Sequence, residues 1–148
     1  MKNSVIFCQF VCLCLGSSLA LARDTSLKLK YDYAMSSPTA IEKLGTDVKF
    51  YFGSSTTPAT AETFGEFMAN KKTNAFNKTD EEACKWVFLS AMMSLRDRAR
   101  SLNADAVINI KSYYKKNLMD SATEFECGAG GVMAGVTLKG TPVKLKKK

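Results

Sequence analysis

The segment that most constrains this chain begins at Thr79. Thr79-Asp80-Glu81-Glu82 has the form of a capping box, in which the threonine hydroxyl and the glutamate satisfy the first free amides of a helix. The three acids also suit the positive end of the helix dipole. Phe88, Ala91, Met92, Leu95, Ala99 and Leu102 then recur at helical spacing, which predicts a helix running to about Leu102. Asn103 suits the left-handed exit. A second apolar stripe, Trp86, Leu89 and Met93, lies well away from the first. One face is expected to meet a sheet and the other must be covered too, by the aromatic segment around Phe64 and Phe67 or by a partner protein. Arg96, Arg98 and Arg100 crowd the last turns, where cations suit the dipole, and read as a solvated face.

Around this helix the chain reads mostly as strands. Leu27, Leu29, Tyr31 and Tyr33 alternate with Lys28, Lys30 and Asp32, predicting a half-buried strand or extended arm. Ser37 and Pro38 open a short helix that Gly45 stops. Val48, Phe50 and Phe52 predict a second strand, and Gly53 to Ala61 a loop. Residues 62–78 mix Phe64, Phe67 and Phe76 with Gly65 and a polar run, and fit no single pattern. After the long helix, Ala106, Ile108 and Ile110 alternate with Val107, Asn109 and Lys111. A return strand then leads into Cys127, and Val132, Ala134, Val136 and Leu138 begin a last one that Val143 and Leu145 could extend. The expected fold class is α+β: one long helix on a mostly antiparallel sheet, in the order strand, helix, strand, strand, strand, with an N-terminal extension. The expected division is 1–22 leader, 23–78 strands and loops packing on the core, 79–145 helix-plus-sheet core, and 146–148 basic tail.

The first 22 residues read as an address. Lys2 is followed by an apolar run from Val5 to Leu15, broken only by Gln9, and by Ala20-Leu21-Ala22. This is the layout of a secretory signal peptide cleaved between Ala22 and Arg23, too short and interrupted for a membrane span. Removal leaves 126 of the 148 residues and lowers the formal net charge from +7 to +6. Lys144, Lys146, Lys147 and Lys148 carry four of those six charges, so the body is close to neutral. No nucleic-acid grip is expected of it; the tail could meet an anionic surface.

Of five cysteines, Cys84 and Cys127 remain after cleavage, and two cysteines in an exported chain are most simply a disulfide. A metal would need more ligands than two thiolates. The chain has no histidine, which also removes Ser-His-Asp and Cys-His chemistry. A redox pair usually has a short Cys-x-x-Cys spacing, whereas these lie 43 residues apart. Closing such a loop constrains the unfolded chain by about 4 kcal/mol in the chain-entropy account. Gly128-Ala129-Gly130-Gly131 lacks the following Lys-Ser/Thr and precedes a strand, so it reads as a bulge or a close strand approach beside the disulfide and not as a phosphate loop. Ser90 and Ser94 have no visible base. No metal, cofactor or catalytic set is expected.

Two stretches carry a resemblance. "NKKTNAFNKTDEEACKWVFLSAMMSLRDRARSLNADAVINIKSYYKKN" and "SATEFECGAGGVMAGVTLKG" resemble a family of small exported bacterial proteins often auto-named "excinuclease ATPase subunit", although no Walker A loop is present here. "SLRDRARSLNADAVINI" is similar to the YbjQ-type domain, often labelled heavy-metal-binding. It is also similar to the core of the outer-membrane stress-sensor lipoproteins of the Rcs phosphorelay, where a cysteine at the helix start is bridged to one in a late strand. Cys84 and Cys127 match those positions, while the second bridge and the lipid-bearing cysteine have no counterpart. The resemblance implies an α+β fold and an envelope location, and no established activity.

The expectation is therefore a non-enzymatic, disulfide-stapled periplasmic protein that binds an envelope protein partner or an anionic surface. The alternative is a metal- or small-ligand-binding envelope protein of YbjQ-like type.

Overall fold

A computed structural model describes residues 23–54 and 57–147. The proposed cleavage point after Ala22 lies outside the described residues, as does Lys148. In chain order the elements are β1 (Asp24–Lys30), α1 (Tyr31–Met35), α2 (Pro38–Leu44), β2 (Lys49–Phe52), β3 (Thr60–Thr63), β4 (Phe67–Asn74), α3 (Asp80–Ser101), β5 (Ala106–Ser112), β6 (Glu124–Gly130) and β7 (Met133–Leu145), with a single 3₁₀ turn over Tyr114–Lys116. The fold is α+β: a seven-stranded, mostly antiparallel sheet curled around α3.

The long strand β7 organises the sheet. Along one edge it pairs with β4 and then β3; along the other with β6 and then β5. β1 extends the sheet beyond β6, and β2 extends it beyond β5 in the one parallel pairing. Residues 24–74 thus supply four strands to the same sheet as the helix-bearing core.

Local chemistry explains most of these elements. Thr79 caps α3 by accepting from the Glu82 amide at 3.1 Å, and Asn103 leaves it at φ 52°. Ser37 caps α2 by accepting from the Ala40 amide, Pro38 fills its first turn, and Gly45 ends it at φ 68°, where an L side chain would be strained. The inward face of α3, including Phe88, Ala91, Met92, Leu95 and Ala99, is fully buried along β4, β7 and β6. Phe88 stacks on Phe125 of β6 at 4.2 Å between centroids. Each buried aromatic of this kind contributes on the order of 2–3 kcal/mol. Cys84 and Cys127 are bonded with a Cα–Cα distance of 5.9 Å, pinning the first turns of α3 to β6.

Four expectations need correction. Tyr31 and Tyr33 do not continue the first strand, because the chain turns into α1 at Tyr31. Tyr31 is buried and stacks on Phe52 at 3.8 Å, while Tyr33 faces outward. Second, β5 does not keep one alternation. Asn109 adopts φ 53° at a break in the β5–β7 register, so Ile108 joins a small cluster with Ala106 and Val143 while Val107 and Ile110 face α3. Third, Arg96 is not solvated. It is only 8% exposed and donates to the Lys43 carbonyl at the C-terminus of α2, as well as to Asp97. Fourth, the loop after Gly53 ends earlier than expected, since Thr60 and Ala61 already belong to β3.

The segment with no clear pattern, residues 62–78, contains β4. Its outward positions Asn70, Lys72 and Asn74 are exposed, and its helix-facing side offers Phe67 and the buried Ala69. No helix among the described residues is long and apolar enough to cross a membrane.

Candidate functional site

The two faces of α3 are covered differently. Its inward stripe meets the sheet, as expected. Its other face, in the first half of the helix, is covered by α1 and α2 rather than by the segment around Phe64 and Phe67. Phe64 and Phe67 pack against the core elsewhere, with Arg98 over the Phe67 ring at 5.8 Å.

The coverage is incomplete, and a groove of about 180 Å³ remains between α3 and the α1–α2 pair. Glu82, Lys85, Trp86 and Leu89 form one wall; Ala34, Ser37 and Thr39 form the other. The second wall is built of small side chains, one of which, Ser37, is the α2 cap that accepts from the Ala40 amide. Leu89 is 5% exposed, while Trp86 is 45% exposed with its indole at the mouth. Lys85 is fixed over the Tyr33 ring, 3.3 Å from its centroid, and Glu82 supplies the opposite charge. The groove is smaller than the ~300–1,000 Å³ usual for small-molecule pockets. Its size and apolar lining suit one large side chain of a partner.

The three residues of the second stripe do not act together. Leu89 is buried and lines the groove from within. Met93 is half-buried and lies beside Lys71, Lys72, Ser90, Ser94 and Asp97 on the β4 side. Trp86 alone of the three is open to solvent. The groove's second wall, Ala34, Ser37 and Thr39, has no signal in the stripe itself.

The lysine tail is likewise divided. Lys144 belongs to β7 and pairs with Glu62 at 3.1 Å. The Lys146 amide donates to the Ala59 carbonyl, so the backbone is tied down through that residue. Lys146 and Lys147 are exposed. Arg23 donates to Asp80 at 2.5 Å and to the Gly130 carbonyl at 3.4 Å, joining the start of the described chain to the N-terminus of α3.

The glycine run lies mostly within β6, and Tyr114 occupies the space above it. A Cβ at Gly128 would fall 1.8 Å from the Tyr114 hydroxyl oxygen. The close approach is therefore to an aromatic ring.

The perturbed carboxylates lie in latches between elements. The Arg100 guanidinium beside Asp47 holds that carboxyl down at about 2. The Ser54 hydroxyl and Lys111 lower Asp120, which ties the end of β2 to the β5–β6 connection. Burial pushes the Tyr31 phenol well above its ordinary value, with the Ser112 hydroxyl opposing and Asp120 adding to the rise. The Tyr31 hydroxyl has no hydrogen-bond partner of ordinary geometry among the described residues. Ser90 donates to the Trp86 carbonyl within its own helix. Among the described residues, no group of three or more Cys, Asp or Glu side chains is arranged to hold a metal ion. No family model, no curated protein and no solved structure matches this chain.

Proposed function

We propose that this protein is an exported, non-enzymatic domain of the bacterial cell envelope that docks a protein partner through the groove beside Trp86. The observation that carries the reading is the half-exposed indole at the mouth of an apolar cleft with a Leu89 floor and a Lys85/Glu82 rim. Exposed tryptophan at a well-formed cleft is the residue type that dominates protein–protein recognition. The Cys84–Cys127 bridge supports an oxidising compartment. Its two positions are those at which the sequence resembles the envelope stress-sensor lipoproteins. The metal-binding alternative has less support, since both cysteines are committed to the bridge.

Site-specific photocrosslinking in growing cells tests the reading. A photoreactive residue in place of Trp86 or Thr39 is expected to give the same discrete adduct, and one at Lys146, which is tied to Ala59 and lines no part of the groove, none. Absence of an adduct from both groove positions, or the same adduct from Lys146, contradicts it.

A further inference from the structure

Two neighbouring turns at one pole of the sheet carry apolar residues where turns normally carry polar ones. The first spans 75–78, closed by the Lys78 amide donating to the Ala75 carbonyl at 3.1 Å, with Phe76 at its apex. Asn77 supplies the positive φ of 59° that this turn requires. The second is the β6–β7 hairpin, with Val132 at its apex and Met133 beginning β7. The Ala75 amide donates to the Val132 carbonyl at 2.7 Å, and Asn74 sits opposite Met133 in the β4–β7 register, so the turns are fixed side by side. Phe76, Val132 and Met133 are 63%, 62% and 47% exposed. No residue of the groove beside Trp86 belongs to this tip.

The geometry points to a bilayer surface as the occupant of this tip: Phe76, Val132 and Met133 enter the interfacial layer of an anionic membrane. Three observations favour a bilayer over a second protein. The side chains offer on the order of 300 Å², far below the ~800 Å² per partner of a stable protein interface. That amount suits shallow insertion of a few side chains beside headgroups. Next, two lysines stand at its rim. Asp80 pairs with Arg23, leaving Lys72 and Lys78 beside the turns, while Glu81 and Glu82 line clefts toward α1. Lastly, the described chain begins at this pole, where Asp24 pairs with Gly130 and the Arg23 guanidinium reaches the Gly130 carbonyl next to the hairpin. The apolar run 5–15 is separated from Arg23 by residues 16–22, a reach of at most about 25 Å. While that run is held in the export membrane, the tip is within reach of the lipid surface.

The test uses the purified protein with vesicles of phosphatidylethanolamine and phosphatidylglycerol, and with phosphatidylcholine vesicles for comparison. Sedimentation with the anionic vesicles is expected. The combined variant Phe76→Ser, Val132→Ser, Met133→Ser is expected to lower the partition coefficient at least about tenfold with unchanged far-ultraviolet circular dichroism. Lys146→Ser with Lys147→Ser, at the opposite end of β7, is expected to leave most of the binding in place. A depth readout guards against loss by misfolding: Val132→Trp in a Trp86→Phe background should show quenching by brominated lipid. Equal binding by the tip variant and wild type, no binding by wild type, no bromolipid quenching, or a tip-dependent dimer in sedimentation velocity would each overturn the proposal. Groove crosslinking at Thr39 is read separately, so the two readings fail independently.

Discussion

Substituting Gly128 by alanine probes the outer face of the sheet most sharply. A Cβ there would lie 1.8 Å from the Tyr114 hydroxyl oxygen, 2.1 Å from its Cζ and 2.6 Å from its Cε1. These separations lie far inside van der Waals contact, so the ring must be displaced from a half-buried seat that also touches the Gly135 position at 3.5 Å. Overpacking of this kind costs about 1–3 kcal/mol. Gly128 is not in the left-handed region, so its backbone accepts alanine once the ring is gone. In a Tyr114→Ala background the obstruction vanishes, and alanine should then be neutral or stabilise by ~0.5–1 kcal/mol through reduced chain entropy. The expected coupling energy is the difference between these two effects, about 1–4 kcal/mol. Urea unfolding of the wild type, both single variants and the double variant yields it directly. An equal cost for Gly128→Ala with and without Tyr114 would show that the ring is not what requires a glycine there.

Two further outcomes follow from the bridge and from the α2–α3 junction. Cys84→Ala and Cys127→Ala should each lower unfolding free energy by a similar amount, about 4 kcal/mol for a loop of 43 residues, because either breaks the same closure; urea titration of both variants checks this, and clearly unequal losses would contradict it. Asp47 has a folded pKa of about 2 against an ordinary 3.8, so its pairing with Arg100 stabilises the fold above about pH 4 and is lost as pH falls toward 2. Asp47→Asn should therefore unfold at lower urea than wild type near neutrality, with the gap closing in acid; a gap independent of pH would refute the pairing as its source.

Much of this architecture is legible in the residues themselves. The Thr79 cap, the 3.6-residue stripe and Asn103 mark α3 almost to the residue, and Ser37, Pro38 and Gly45 do the same for α2. β7 runs unbroken past Gly140 and Pro142, as Val143 and Leu145 suggest. What escaped local pattern depends on distant partners. Tyr31 turns inward because Phe52, Phe88 and Phe125, from three separate elements, form its pocket. Ile110 changes face because Asn109 bulges the strand, and an alternating sequence looks the same with or without a bulge. Arg96 is buried because a carbonyl 53 residues away needs a donor, which a charge count cannot reveal. Trp86 is visible as part of a second stripe, but the groove is not: Ala34 of its other wall lies in a helical turn hidden next to a strand-like alternation, and nothing local shows that Ser37 and Thr39 of α2 stand across from α3.

The central claim is that the chain is exported and works as a bridged domain. Intact-mass analysis of protein isolated from the cell envelope, with and without reduction before alkylation, tests it most directly. The account predicts a chain that begins at Arg23, is two hydrogens lighter than its fully reduced form, and takes up alkylating agent only after reduction. A cytoplasmic chain that retains residues 1–22 and carries free thiols at Cys84 and Cys127 would contradict it.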